Sequence, residues 1–463
     1  MGQLVSLKLF FIIFFKVLGR KWKRILAVLF ITGFSIFALI LVNPLKSTSV
    51  SEGIIGTYQT HDIPQVVTKL LSESLVEFDE NGRVTGKLIT GWEVNSEGTI
   101  YKFKLKDNLY WSDGTKVNSS DIEVVIPDVE VSYPDNSSIQ FKLKNPFSPF
   151  PSLLTDPVFK KGTLVGTGPY RIKSIEKSRI FITKLFLQKF DSSFEGIPEI
   201  IIRFYPNETT AELAFELGEV QSIFGVSDPG SSQSNLSKQI QKTNYNVVVS
   251  ILYNTKDPAL SNRSFRQALS YAAPEIKNEA LARTSVRPNS WGFTDDVNDY
   301  LDNYNSSKAA LTRAKNSSSP EILKKEIVLT STPQLESVGK QIVSAWKAQD
   351  INAVLRVESG IPQNFQALLI TQSIPVDPDQ YSLWHSTQEK TNLTKYSSAR
   401  VDKDLEDGRK LLKEEERKQK YIDFQKHLLE DSPATFLYFP KYNVVYLKKI
   451  DEQLSKLTPL QLP

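Results

Sequence analysis

The sequence predicts a two-lobed α/β body held behind an N-terminal membrane helix. Three observations predict it. Ile25 to Val42 is an uncharged apolar run, the chain from Gly53 to about Tyr245 reads as strand-rich, and the second half changes to helical spacing. The length of 463 residues, with 40% apolar and 23% charged residues, suits two or three packed lobes rather than a disordered chain.

The run ILAVLFITGFSIFALILV reaches about 27 Å at a helical rise of about 1.5 Å per residue, enough for a hydrocarbon core of about 30 Å. Arg20, Lys21, Lys23 and Arg24 precede it, and Trp22 stands where an interfacial aromatic belongs. The positive-inside rule keeps residues 1–24 in the cytoplasm and exports everything after Pro44. The bulky Leu39-Ile40-Leu41-Val42 offers no clear small-x-small cleavage site, so 25–42 is expected to be an uncleaved signal anchor, the alternative being a cleaved signal peptide, and 43–52 a linker. Leu4 to Leu18 is interrupted by Lys8 and Lys16, which suits a segment lying along the membrane surface.

In the body, Tyr101–Lys106 and Ile139–Lys144 alternate apolar with polar residues, as half-buried strands do. Thr209 to Leu217 is a short predicted helix with Asn207 as cap and Gly218 as stop. Arg263 to Ala273 is another, with Arg266 as an ion-pair anchor. Glu326 to Val357 reads as strand–helix–strand, because Leu335, Val338, Ile342, Val343 and Trp346 share one helical face. Asn303 to Pro320 suits a polar surface connection around a short helix. Val401 to Asp431 is rich in Lys and Glu, with Leu405, Leu412, Tyr421, Phe424 and Leu428 spaced for a buried stripe. Its charged side is read as a solvated face.

Composition excludes several functions. There is no cysteine, hence no disulfide, thiolate metal site, Cys nucleophile or lipid-bearing cysteine. Three histidines, His61, His385 and His427, are too few for a histidine-rich metal cluster, and no cofactor is expected. Six of the 56 Lys and Arg precede Ile25, leaving 50 against 52 acidic residues. The exported part is slightly acidic, so nucleic acid is not an expected partner. Asp377 and Asp379 resemble a paired-carboxylate site, but alternate residues in a Pro-containing turn need not face each other, and neither has an evident basic partner. With no G-x-S-x-G elbow either, an enzyme is not expected.

Four ordered blocks carry a resemblance. The first is ESLVEFDENG at 73–82, followed by GWEV at 91–94, GTIYKFKL at 98–105 and LYWSDGT at 109–115. The second is GTGPY at 166–170, which lacks the Lys-Ser/Thr of a nucleotide P-loop. The third spans Glu208 to Val220, Tyr253-Asn254-Thr255 and RSFRQALSYA at 263–272. The fourth is DPDQYSLWHS at 377–386, continuing through Asn392, Tyr396 and Arg417 to Ser432-Pro433-Ala434. Together they resemble the family-5 extracellular solute-binding proteins, the oligopeptide, dipeptide and nickel receptors of ABC importers.

The resemblance implies a periplasmic-binding-protein type II fold, with two lobes joined by a two-crossing hinge near Val247–Asn254 and Ala434–Val445. Lobe I would be 53–248 plus 440–463, and lobe II 249–439. It also implies a cleft lined by Tyr58, Gln59 and His61 from one lobe, Trp384, His385, Ser386 and Asn392 from the other, and Asn254 on the floor. The expected partners are a small peptide or similar ligand, ABC permease subunits and the cytoplasmic membrane. Two departures stand out. Only Glu123 to Ser138 occupy the place of a long helical insertion, and Ile374 stands where peptide receptors of the family often carry an acidic residue. The alternative is a membrane-bound sensor or assembly protein whose cleft has degenerated.

Overall fold

The computed structural model describes residues 49–190, 196–227, 235–318 and 320–454. The expected basic segment 1–24, the anchor 25–42 and linker residues 43–48 lie outside them. Among the described residues no helix is long and apolar enough to cross a membrane. Ser49 already opens a strand in which Val50 and Glu52 are buried, so residues 49–52 of the expected linker belong to the first sheet.

The chain begins with β1 (Ser49–Ile55) and α1 (Gln65–Leu71), then β2 (Val76–Phe78) and β3 (Val84–Gly86). β4 (Ile89–Val94), β5 (Ile100–Leu105), β6 (Glu130–Asp135) and β7 (Ser138–Lys142) form a small sheet in the order β4-β5-β7-β6. Tyr101, Phe103 and Leu105 point to one face of β5 and are buried, while Lys102 and Lys104 on the other are exposed, as the period-2 pattern requires. β8 (Tyr170–Ser178), β9 (Phe181–Lys189), β10 (Glu199–Tyr205), α2 (Glu208–Glu216), β11 (Ser222–Val226) and β12 (Ser237–Thr243) follow. Asn207 caps α2 by accepting the Thr210 N–H at 3.0 Å.

The second body starts with β13 (Val247–Tyr253), α3 (Arg263–Ala272), β14 (Ala280–Leu281), α4 (Tyr304–Ser317) and α5 (Pro320–Leu323). α4 has 14 residues, longer than the short helix expected, because Ala310 and Ala314 give it a narrow buried stripe against α3. β15 (Ile327–Ser331), α6 (Glu336–Lys347) and β16 (Ala353–Val357) make a parallel crossover in which Ile342 and Trp346 are fully buried. β17 (Ala367–Ser373), α7 (Tyr381–Trp384), α8 (Ala399–Lys410), α9 (Glu414–Asp431), β18 (Ala434–Phe439) and β19 (Lys441–Leu447) complete the described elements. The expected 401–431 helix is thus two helices. Leu412 lies in the break between them, 41% exposed rather than in the buried stripe.

Two large sheets result, ordered β12-β19-β11-β1-β10-β9-β8 and β14-β18-β13-β17-β15-β16. The chain passes between them at 244–246 and again at Pro440, the single residue separating β18 from β19. All of β13 pairs within the second sheet, so the first crossing lies just before the expected Val247–Asn254 segment. The crossings touch: Asn244 N–H donates to the Pro440 carbonyl at 2.8 Å, and Tyr245 packs on Phe439 with ring centroids 5.2 Å apart.

The small sheet is fastened to the first large sheet at the end of α1. Gly168 N–H donates to the Leu71 carbonyl at 2.9 Å, and Thr167 N–H to Ser72 Oγ at 3.0 Å. A Cβ on Gly166 would stand 2.2 Å from the Leu71 oxygen, and one on Gly168 2.6 Å from the Leu71 carbonyl carbon. The glycines of GTGPY therefore permit backbone-to-backbone contact rather than cradling a phosphate.

Candidate functional site

After β17, the chain runs through Ile374-Pro375-Val376 to Asp377, whose carboxylate accepts the Asp379 N–H at 3.0 Å and so fixes the turn. Arg417 in α9 reaches both Asp377 oxygens with Nη2 at 3.3 Å and donates Nε–H to the Gly408 carbonyl at 3.2 Å. Its guanidinium lies 4.9 Å from the centre of the Trp291 ring. Asp379 accepts Arg409 Nε–H at 2.9 Å. Both carboxylates thus have arginine partners, which corrects the sequence reading that neither had one. Arg409 stands at the end of α8 and Arg417 in the first turn of α9, so the two-helix break brings both to the same turn.

Across from this turn stands the small sheet. Trp92, Tyr101 and Pro149 face Trp291, Asp377 and Arg417 over a cavity of about 240 Å3, with Arg83 and Glu414 at the rim. One wall belongs to the first body and the other to the second. Burial is the main influence on Asp377 and pushes its carboxyl up. Arg417 opposes that, but at 3.3 Å its contacts are longer than the usual charge-assisted bond of about 2.7–2.9 Å and do not fully offset it. Burial also pushes the Tyr101 hydroxyl up to about 12, and it donates to the Phe147 carbonyl at 3.0 Å. The cavity presents Arg417 and Asp377 side by side among aromatic walls.

The eight cleft candidates do not line this cavity. Tyr58 is half-buried, its hydroxyl donating to the Ile55 carbonyl at 3.0 Å and its ring 5.1 Å from Phe204. Gln59 N–H donates to the Asp62 carboxylate, and His61 is exposed. Asn254 donates to the Phe365 carbonyl at 3.0 Å and accepts the Lys256 N–H at 3.1 Å, which occupies both ends of its amide in a turn.

The second-body candidates are parts of the fold. Trp384 is 2% exposed, donates Nε1–H to Gln380 Oε1 at 2.9 Å and meets Phe436 edge-on. His385 is 3% exposed and stacks on Tyr381 with centroids 4.0 Å apart. Ser386 donates both its N–H and its hydroxyl to Asp402, at 2.9 and 2.6 Å. Asn392 donates to the Tyr396 carbonyl at 2.8 Å and accepts the Thr394 hydroxyl at 2.7 Å. In this structure Trp384, His385 and Asn392 serve as loop and core supports. Asn392→Ala is expected to lower stability by about 1–3 kcal/mol, through the carbonyl it leaves unpaired. Urea unfolding checks this, and an unchanged midpoint would contradict it.

Arg266 donates to the carbonyls of Leu260, Ser261, Asp431 and Ser432, tying the start of α3 to the end of α9, with the Asp431 carboxylate as its favourable charge partner. Ile374 is buried in the same core cluster as Val248 and Trp384. Among the described residues no group of three or more His, Asp or Glu is placed to hold a metal ion.

Two mixed sheets joined by paired crossings, with a cavity walled by both bodies, define a two-lobed binding protein. Residues 124–392, more than half of the chain, match the profile of "Bacterial extracellular solute-binding proteins, family 5 Middle". The chain belongs to this family of extracytoplasmic solute receptors, which are not enzymes. It is 23% identical over 474 residues to the oligopeptide-binding protein AppA of Bacillus subtilis, covering 85% of each chain. The nickel-binding NikZ of Campylobacter jejuni, solved with Ni(L-His), superposes with a TM-score of 0.69 at 20% identity, covering 87% of this chain and 94% of that one. CtaP of Listeria monocytogenes superposes with a TM-score of 0.72 at 18% identity, covering 86% and 93%. These likenesses give the type II periplasmic-binding fold.

Proposed function

We propose that this receptor is tethered to the cytoplasmic membrane by residues 25–42, captures peptides between its lobes and delivers them to an ABC permease. The cavity shared by Trp92 and Trp291 carries the reading. A guest touching both bodies binds the closed arrangement more tightly than the open one, and closure is what a permease can recognise. Peptide as the ligand class is supported by relatives named for oligopeptides and dipeptides. Tethering is supported by the apolar run after Arg20, Lys21, Lys23 and Arg24.

The burial of Ile374 favours a guest recognised without a carboxylate at that position, and it is the observation that keeps the degenerate-cleft reading in play. Thermal unfolding of the full chain with defined peptide pools separates the two. A ligand at 100 times its Kd is expected to add about 2.7 kcal/mol of stability. No shift with any pool would favour the sensor or assembly reading. Protease added outside intact cells is expected to remove the body, and its failure to do so would contradict export.

A further inference from the structure

We infer that the turn 145–149 of the small sheet and the C-terminal end of α8 form a clasp that holds the two lobes together without any ligand. The last carbonyls of a helix have no partner within it. Here two are capped from the other lobe: Ser148 N–H donates to the Arg409 carbonyl at 2.8 Å, and Ser148 Oγ–H to the Gly408 carbonyl at 3.2 Å. The Arg409 side chain is fixed by its own lobe, bonded to Asp379 and 3.9 Å above the Tyr381 ring. Phe147 of the first lobe lies 5.0 Å from the same guanidinium. The cation therefore needs no rearrangement to meet it.

Three further contacts extend the seam. Arg83 pairs with Glu414 at 2.9 Å, Leu412 lies 3.2 Å from where a Gly98 Cβ would stand, and the Gly82 turn packs on Ser290 and Val376. Leu412 is the large apolar side chain exposed by the break between α8 and α9, and Gly98 is where it is received. Arg83, Ser148, Leu412 and Glu414 also line the cavity, so the clasp is the cavity's rim. Opening must break these contacts whether or not a guest is present. The clasp thereby sets the fraction of receptor poised in the binding-competent state.

The chain has no cysteine, so two introduced ones are unique labels. Lys104→Cys and Glu415→Cys lie on exposed positions of opposite lobes. Spin-labelled full chain in detergent, without peptide, is expected to give a single narrow interlobe distance distribution by double electron–electron resonance. Adding Arg83→Ala, Phe147→Leu and Ser148→Ala is expected to raise the open-to-closed ratio at least ten-fold, equivalent to about 1.4 kcal/mol. An unchanged distribution in the folded variant, or a wild type already mostly open, overturns the clasp. If the triple variant fails to fold, hydrogen exchange on the wild type decides. The Ser148 amide is expected to be protected at least 100-fold over an unstructured amide, and exchange at the unstructured rate overturns the proposal. Neither measurement requires a ligand, so failure of the peptide assignment would leave this result standing.

Discussion

Arg417→Met is expected to destabilise the second lobe by about 3–5 kcal/mol at pH 7.5, because it leaves the Asp377 carboxylate buried with no cation. Only 7% of the Asp377 side chain and 11% of the Arg417 side chain are exposed, so water replaces the pairing poorly. The loss should be pH-dependent, and its sign follows from Asp377. Burial raises its pKa in the folded state and Arg417 lowers it, so removing the arginine raises it further. Between the ordinary carboxylate pKa and the raised one, the folded variant holds a proton that the unfolded chain has released, and above it the charge stays buried and unpaired. Its deficit relative to wild type is largest above the raised pKa and shrinks as pH falls towards the ordinary carboxylate range. Urea unfolding of both proteins at pH 7.5 and 5 tests this. Asp377→Asn combined with Arg417→Met should recover much of the loss, since a neutral amide replaces the stranded charge. A deficit that stays constant with pH and is unaffected by the second change would rule out the pair as its source.

Gly168→Ala is expected to cost about 3 kcal/mol or more. The new methyl would stand 2.6–2.7 Å from backbone atoms of Leu70, Leu71 and Ser72. A crowded side chain can change rotamer, but these atoms belong to the end of α1 and its hydrogen bonds, so the relief must come from moving the small sheet. Gly91→Ala is the control, with nothing within 4 Å of its added Cβ, and should change stability by no more than about 0.5 kcal/mol. Equal urea midpoints for the two variants would show that the α1 contact can relax.

Much of the architecture was legible because it is periodic. The 327–357 unit shows its buried helix face at 3.6-residue spacing and its strands as short apolar runs, and the structure forms it as a parallel crossover. Asn207 was readable as a cap because its short acceptor, placed just before a helical pattern, satisfies an otherwise free N–H. The site was much less legible. Trp384, His385 and Asn392 belong to a four-residue helix and its following loop, where no period distinguishes an inward side chain from one facing a cleft. The arginines opposite Asp377 and Asp379 were hidden in a Lys/Glu-rich stretch whose charges looked uniformly solvated. Their placement depends on the break at 411–413, which contains Leu-Leu-Lys and no glycine or proline to announce it. Trp291 and Trp92 are nearly 200 residues apart, and only the docking of the small sheet brings them to one cavity.

The lone residue between β18 and β19 governs how this molecule can move. Pro440 has a ring-restricted φ, and its carbonyl is held by the neighbouring crossing, so little sliding is available there. A swing about an axis through Pro440 and Asn244 is the relative motion these contacts permit. Displacement grows with distance from that axis, leaving the far rim to travel while the strands beside the pivot barely shift.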